Sequence, residues 1–303
     1  MRKLQAATSI LAYLAVVPAA RADVLFIGGT SDLAAQYYLS QTYGEIKDNN
    51  FNNLQSSGLI QNSGTRIGAS TQAFTLSQSG STMTANTFAA SDAFGQVKAS
   101  ASAQITNSSS NLGYTSIGSY GERTQAQFNS AQTPGRVDFT FTVSGSSSAP
   151  FGTTVTRLDF LADASSSGSF FDVFGGSALH ATGPGTYTFT YLGSTATPLD
   201  IMFYAAAGVL IGSPDYPDAP NGQNFTSFAN FSNTFDLTSI QLYTSSNALI
   251  TDWTLTDLAT NQTVFNQNGR VEAVPEPGSL ALLAIGGLGL GLGALGRRRR
   301  PTR

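Results

Sequence analysis

The chain of 303 residues contains no cysteine and a single histidine, His180. The absence of cysteine excludes disulfide bonds, thiolate metal sites and cysteine nucleophiles. Because there is only one histidine, any histidine-ligated metal site or Ser-His-Asp triad would have to include His180. Whatever stabilises the fold is therefore noncovalent.

Charged residues are also scarce, at 11% of the chain, and they are unevenly distributed. Eight of the 15 basic residues lie in two terminal segments, residues 1–22 and 297–303, whereas all 18 acidic residues lie between them. Seven basic residues therefore face 18 acidic ones in residues 23–296, which gives this part a formal charge of −11. Nucleic-acid binding needs clustered Lys and Arg against the phosphates, so this composition argues against a nucleic-acid partner.

The first 22 residues, MRKLQAATSILAYLAVVPAARA, carry an export pattern. Two basic residues precede a short apolar segment, Ile10–Val17, and the stretch ends in Ala-Arg-Ala. This order is typical of a secretory signal peptide, and it favours that reading over an ordinary amphipathic first helix. We predict cleavage between Ala22 and Asp23 and a mature protein outside the cytoplasm.

The last thirty residues, VPEPGSLALLAIGGLGLGLGALGRRRRPTR, contain an apolar run of 19 residues without a charge, 278–296. Residues 278–296 would form a helix of about 28 Å, close to the hydrocarbon thickness of a bilayer. Arg297, Arg298, Arg299 and Arg300 follow directly and should stay cytoplasmic under the positive-inside rule. We therefore predict a transmembrane helix over 278–296 that holds the precursor in the inner membrane.

Val274 to Pro277 stand in front of this span. Pro275 and Pro277 lack an N–H and bias the preceding residues to extended conformation, which is the form that proteases and transpeptidases bind. A Pro-Glu-Pro motif, an apolar segment and an arginine cluster, in this order at the end of the chain, resemble the PEP-CTERM sorting signal. That signal belongs to exported proteins of Gram-negative, exopolysaccharide-producing bacteria, and the resemblance is confined to the tail, residues 273–303, together with the N-terminal signal peptide.

The resemblance implies a processing partner, an exosortase, which is a membrane-embedded cysteine transpeptidase. Pro275, Glu276 and Pro277 would be its recognition motif, and removal of the tail would release the protein or attach it at the cell surface. Membrane contact would then be transient, and exopolysaccharide becomes a candidate partner. A permanent single-pass anchor is the alternative. A glycolipid-anchor signal fits poorly, because such tails end in apolar residues.

Between the two terminal signals, residues 23–272 alternate apolar and polar residues over several short stretches, which predicts strands with one buried and one exposed face. The alternating stretches are 97–106, 137–143, 157–160 and 186–191, and further strands are predicted at Leu199–Tyr204, Phe235–Tyr243, Ala248–Leu258 and Thr263–Asn266. We therefore predict an all-β body, an antiparallel, jelly-roll-like β-sandwich, followed by a single C-terminal hydrophobic helix.

Two local departures from this pattern are predicted. Residues 31–41 place Leu33, Ala34, Tyr37 and Tyr38 at helical spacing and predict one short helix. Near Leu237 the apolar positions change parity, which predicts a β-bulge at Thr238-Ser239.

The chain offers few candidates for catalysis. His180 precedes a Gly-Pro-Gly turn, and we interpret it as a partly exposed histidine at a strand end. No serine elbow, phosphate loop or zinc-helix motif is present. Asp138, Asp159 and Asp257 lie at outward strand positions and are predicted to be solvated. We predict no catalytic residue.

A turn-rich loop with Asp215, Asp218 and Asn221 supplies oxygen ligands that calcium accepts. Their spacing matches no known calcium loop, so we interpret it as a solvated loop and predict neither a metal site nor a cofactor.

Several functions therefore compete. We favour a noncatalytic, exported cell-surface or extracellular-matrix protein. A carbohydrate-binding sandwich that stacks exposed tyrosines and Trp253 on sugar is the first alternative. A polysaccharide hydrolase that uses two carboxylates is less favoured, as is an ice-binding protein that uses Thr-x-Thr pairs on exposed strand faces, where threonine is common anyway. The tail cannot choose among these functions, because sorting signals are attached to unrelated bodies.

Overall fold

The computed structural model describes residues 37–48, 52–63, 68–163, 179–193, 195–212 and 219–271. Within these ranges the fold is all-β, with antiparallel strands and no helix. The helix predicted over residues 31–41 is wrong from Tyr37 onward, because Tyr37–Asp48 is a strand. This strand pairs along its whole length with a central strand, and that pairing overrides the weak helical spacing. The predicted signal peptide and tail lie outside the described residues.

The strands of the described residues, in chain order, are β1 (Tyr37–Asp48), β2 (Asn53–Ser56), β3 (Ile60–Ser63), β4 (Gly68–Gln78), β5 (Ser81–Ala93), β6 (Gln96–Thr106), β7 (Leu112–Ser130), β8 (Arg136–Val143), β9 (Ser146–Ser148), β10 (Thr153–Asp163), β11 (Leu179–Ala181), β12 (Gly185–Tyr191), β13 (Leu199–Ile211), β14 (Phe225–Tyr243), β15 (Leu249–Ile250), β16 (Trp253–Asp257), β17 (Gln262–Asn266) and β18 (Gly269–Arg270).

The first sheet has the strand order β11-β10-β13-β7-β16-β17-β18. Its centre is β7, which pairs with β13 on one side. On the other side β7 pairs first with β1, over residues 112–123, and then with β16, over residues 126–130. Strands β2 and β3 extend this sheet beyond β1.

The second sheet has the strand order β12-β8-β14-β6-β5-β4. The long strand β14 joins its two halves, since residues 225–231 and 235–236 pair with β6 and residues 235–243 pair with β8. The register between β14 and β8 shifts between Leu237 and Ser239, which leaves Thr238 as the extra residue. The predicted bulge is therefore confirmed, and the parity change in the sequence was its signal.

The two sheets pack face to face around a core rich in phenylalanine. The ring centroids of Phe141 on β8 and Phe160 on β10 lie 4.5 Å apart, so they join the two sheets directly. Phe141 also stacks on Phe235 at 4.6 Å, and Phe160 contacts Phe203 at 5.3 Å. All four side chains are fully buried. Aromatic pairs of this kind contribute about 0.5–1.5 kcal/mol beyond the burial of their surface.

The predicted strands that alternate apolar and polar residues agree best with the structure. Strands β6 and β8 alternate buried and more exposed residues, and β12 does the same with half-buried aromatics. The predicted strand Leu199–Tyr204 is only the first half of β13, whose alanine-rich second half gives no alternation because both of its faces are buried. The predicted strand Ala248–Leu258 divides into the two short strands β15 and β16.

Toward β5 and β6 the sheets approach each other more closely. A Cβ atom added to Gly118 of β7 would lie 2.3 Å from the backbone oxygen of Phe88 and 2.8 Å from that of Ser100. The core around this glycine consists largely of small side chains: Ala89, Ala99, Ala205 and Ala207. Only glycine allows the backbones of the two sheets to come this close.

Gly118→Ala should therefore destabilise the fold. The added methyl group has rigid backbone atoms as its neighbours, so the sheets must separate locally, at a cost of about 1–3 kcal/mol. Gly183→Ala is the matched control, because a Cβ atom there would meet nothing within 4 Å. Chemical denaturation measures both variants, and equal midpoints for Gly118→Ala and the parent protein would contradict the close packing.

Candidate functional site

Three neighbouring strands bring His180, Asp159 and Tyr204 into one row on the first sheet. Asp159 of β10 lies opposite His180 of β11 on one side and opposite Tyr204 of β13 on the other. Residues in register share a face of the sheet, and this face points away from the phenylalanine core. The prediction of a partly exposed strand-end histidine is confirmed, since 48% of the His180 side chain is exposed.

The Asp159 carboxylate has a partner on each oxygen. Nδ1 of His180 lies 2.5 Å from Oδ1, and Nε of Arg157 donates to Oδ2 at 2.5 Å. Asp159 itself is fully buried, whereas the His180 and Arg157 side chains reach the surface. The arrangement is a buried carboxylate held between the His180 imidazole and the Arg157 guanidinium, which are both more exposed, and we call it the Asp159 cluster.

Burial dominates the electrostatics of this cluster. Loss of hydration raises the pKa of Asp159 above its ordinary value of 3.8, although the Arg157 charge and the His180 hydrogen bond act in the opposite direction. Burial likewise raises the pKa of Tyr204 above its ordinary value, so its phenol remains protonated at neutral pH. Asp159 is thus the only member of the row that can become a buried anion.

A carboxylate bonded to Nδ1 of an imidazole is two-thirds of a Ser-His-Asp triad. Within the described residues, however, no serine or threonine hydroxyl is hydrogen-bonded to His180. Arg157 occupies the second carboxylate oxygen and neutralises the charge that would orient an imidazolium. The described geometry supplies a polar link between β10 and β11 and does not assemble a nucleophile.

The prediction that Asp159 and Asp257 are solvated is wrong, because both are fully buried. Asp159 has outward parity, but the outer face of the first sheet is itself buried where it lies, together with Leu161, Met202 and Tyr204. Alternation in a sequence reports parity and not exposure, so the sequence carried no signal for this burial.

The outward position predicted for Asp257 is also wrong, because Asp257 shares the buried parity of Trp253 and Leu255 on β16 and closes the turn that follows. Its carboxylate accepts hydrogen bonds from Thr124 Oγ1 at 2.7 Å, from Thr260 Oγ1 at 2.8 Å and from the Ala259 backbone N–H at 3.1 Å. These bonds satisfy the buried carboxyl oxygens and give Asp257 a structural role.

Asp138 differs from these two carboxylates. It retains partial exposure at the outer face of β8, where it accepts a hydrogen bond from Thr190 Oγ1 at 2.8 Å and faces Arg136 Nη2 at 3.3 Å. The outward position predicted for Asp138 is therefore confirmed.

Trp253 does not fit the sugar-stacking role predicted for it. Its side chain is 2% exposed and packs edge-on against Phe128 at 5.8 Å. Trp253 shares inward parity with Leu255 on β16, and both belong to the phenylalanine core. A stacking surface for sugar must therefore use other aromatic side chains.

In the oxygen-rich loop, the described residue Asn221 is engaged in the fold. Its Oδ1 atom accepts a hydrogen bond from the Ser110 backbone N–H at 2.8 Å. Asp215 and Asp218 lie outside the described residues. Across the part of the chain that the structure describes, no three Asp, Glu or His side chains are grouped so that they could hold a metal ion.

The predicted processing residues also lie outside the described ranges: Ala22, Asp23, Pro275, Glu276, Pro277, Arg297, Arg298, Arg299 and Arg300. The same holds for the predicted transmembrane helix over 278–296. In the ranges that are described, no helix has the length and apolar character needed to cross a membrane.

The outer face of the second sheet carries a second candidate surface, which we call the hydroxyl face. It consists of outward residues of four neighbouring strands, all exposed or partly exposed and none of them charged. They are Thr71, Ala73, Thr75 and Ser77 of β4, Thr82, Thr84, Asn86 and Phe88 of β5, Ser100, Ser102, Gln104 and Thr106 of β6, and Thr226, Phe228 and Asn230 of β14. Hydroxyl pairs bridge the strands, as between Thr75 and Thr84 at 3.3 Å.

Comparison with known proteins adds no relative. No protein family, curated protein or solved structure matches the chain.

Asp159→Asn should change how stability depends on pH. Because the pKa of Asp159 is raised on folding, the folded state holds this proton more tightly than the unfolded state does. Binding of this proton stabilises the folded state. The stabilisation is complete below the ordinary pKa of 3.8 and is lost as the pH rises through the higher folded-state pKa. The parent protein should therefore lose free energy of unfolding relative to Asp159→Asn as the pH rises above the ordinary value of 3.8. Urea denaturation at a series of pH values from below 3.8 to neutrality measures the difference, and a constant difference would contradict the assignment.

His180→Ala should destabilise the protein by removing a hydrogen bond to the buried carboxylate. Such bonds to charged groups contribute about 1.5–3 kcal/mol, and the partial exposure of the ring places His180 at or below the lower end. The cost should be smaller in the Asp159→Asn background, where no buried anion remains to be paired. A double-mutant cycle measures this coupling. Equal costs in both backgrounds would show that the pair contributes nothing.

Proposed function

We propose that the protein is an exported, noncatalytic cell-surface or extracellular-matrix protein with a jelly-roll-like β-sandwich body. Its C-terminal tail is a PEP-CTERM sorting signal that an exosortase cleaves. The observation that carries this proposal is the three-part order of the tail: Pro275-Glu276-Pro277, the apolar segment 278–296 and the arginine cluster. The signal-peptide pattern at the other end supports the same route, because the two signals agree on orientation.

The buried charged groups of the body make structural contacts between strands, which supports the noncatalytic role. Asp159 and Asp257 are buried and bonded to neighbouring strands and turns. Arg123 and Asp200 form a buried ion pair at 3.1 Å between β7 and β13. These groups connect strands to one another, whereas a paired-carboxylate hydrolase needs two acids facing across an open cleft.

The connectivity supports the jelly-roll-like assignment. Consecutive long strands alternate between the two sheets: β6 and β8 belong to the second sheet, and β7 and β10 belong to the first. This alternation across the sandwich is what the fold shares with jelly rolls. The meander β4-β5-β6 enlarges the second sheet beyond that plan and creates most of the hydroxyl face.

The proposed route proceeds in two stages. The signal peptide is removed after Ala22, and the precursor stays in the inner membrane through residues 278–296. Exosortase cleavage then delivers the body to the cell surface or to the medium. The cysteine-free body needs no disulfide formation after export, which suits this route.

The full-length protein should lose its tail only when the exosortase is present. It would be expressed in a host with the exosortase and in one without it, and the mature C-terminus would be determined by mass spectrometry. We expect the residues after the Pro-Glu-Pro region to be missing in the first host alone, because cleavage requires recognition of that motif.

Two variants sharpen this experiment. Glu276→Ala in the motif should block removal of the tail, while Glu272→Ala, which removes a carboxylate just outside the motif, should be processed normally. An intact Arg297–Arg300 end in both hosts would instead establish a permanent anchor.

A further inference from the structure

The hydroxyl face is uncharged although it belongs to a strongly acidic body. Between residues 23 and 296 the formal charge is −11, yet the outward side chains of this surface include no Asp, Glu, Lys or Arg. Beside the face, Lys98 of β6 forms an ion pair with Asp92 of β5. A large exposed sheet face normally carries mixed charges for solubility, so a neutral one points to contact with a neutral partner.

Two phenylalanines interrupt the hydroxyl and amide groups of this surface. Phe88 of β5 lies opposite Ser100 of β6, and Phe228 of β14 lies opposite Ser102 of β6. Both side chains are partly exposed, and neither belongs to the clusters that form the core. From strand geometry their attachment points are about 10 Å apart across the sheet and about 7 Å apart along the strands.

The neighbours of the two rings form a repeated pattern. Across β5, β6 and β14, one row reads Phe88, Ser100, Asn230 and the next row reads Asn86, Ser102, Phe228. Each row therefore contains one aromatic ring, one hydroxyl and one amide, and the second row runs in the opposite direction to the first. The two rows are related by an approximate twofold axis on β6 between Ser100 and Ser102.

A pyranose ring has complementary chemistry. Its C–H face packs on an aromatic ring, while the hydroxyls at its edge exchange hydrogen bonds with amides and hydroxyls. Each row offers one such set, so the two rows together suit two positions along one glycan chain. The nearest cation, Lys98, is paired with Asp92, so an anionic polymer would meet no unpaired cation here and would be repelled by the acidic body.

We infer that the hydroxyl face binds a neutral polysaccharide, with Phe88 and Phe228 stacking on sugar rings and Asn86 and Asn230 bonding to sugar hydroxyls. This inference assigns a ligand class to the body, and it does not depend on the sorting tail. It replaces Trp253 as the sugar-stacking element.

The test is binding of the full-length protein, purified in mild detergent, to defined polysaccharides. Insoluble cellulose and a soluble neutral β-glucan are the neutral probes, and alginate is the anionic probe. We expect binding to at least one neutral probe and none to alginate. Phe88→Ala and Phe228→Ala should each weaken binding about tenfold, as the loss of one stacking contact predicts, and the double variant should abolish it.

Leu249→Ala is the matched control, because it removes an exposed apolar side chain of the second sheet that lies away from the two rows. Its binding should equal that of the parent protein. Denaturation midpoints of all variants should also be unchanged, since neither phenylalanine belongs to the core. This comparison separates loss of binding from loss of folding.

Three results would overturn the inference: no binding to either neutral probe, binding that both phenylalanine variants retain, or binding to alginate alone. Inhibition of ice recrystallisation by the parent protein, without glycan binding, would assign the face to ice instead. None of these results bears on removal of the tail, so failure of the glycan site and failure of the sorting proposal remain distinguishable.

Discussion

The contact of Phe141 with Phe160 is the interaction on which the rest of the structure depends. It holds the two sheets together at side-chain distance, in a chain without disulfides. Toward β5 and β6, glycine and alanine replace the large rings, and the backbones come close at Gly118. The sheets are therefore held mainly by shape complementarity, with large rings in one part of the interface and small side chains in another. Arg270 of β18 adds an ion pair with Asp236 of β14.

This packing determines where the few charged groups can lie. Carboxylates that share the buried surfaces must be paired, and Asp159, Asp200 and Asp257 each have a partner from a neighbouring strand or turn. The cost of dehydrating them is offset only when these bonds are made, so the pairs also favour one register over others. The acidic composition of the body is thus divided between buried structural carboxylates and exposed ones.

The hydroxyl face of the second sheet contains no buried carboxylate that must be paired. Its polar side chains bond across neighbouring strands, as Ser77 and Thr82 do at 3.1 Å, and they leave a neutral surface with two phenylalanines. Our proposals assign different tasks to different parts of one chain: the terminal segments direct delivery, and this face provides the contact at the destination. The proposed delivery signals are short stretches of local sequence, whereas the proposed contact surface forms only when four strands are assembled into a sheet.

The amino-acid sequence by itself determined the strands whose two faces differ, such as β6 and β8, and the bulge at Thr238, because alternation and its interruption are local properties. The proposals for export and sorting also rest on the sequence alone, through the patterns at its two ends. Only the tertiary structure decided that Asp159 and Trp253 are buried, that β13 continues through its alanines, and that Phe88 and Phe228 share one face. The reason is physical: alternation tells which residues lie on the same side of a strand, but whether that side meets water depends on what packs against it.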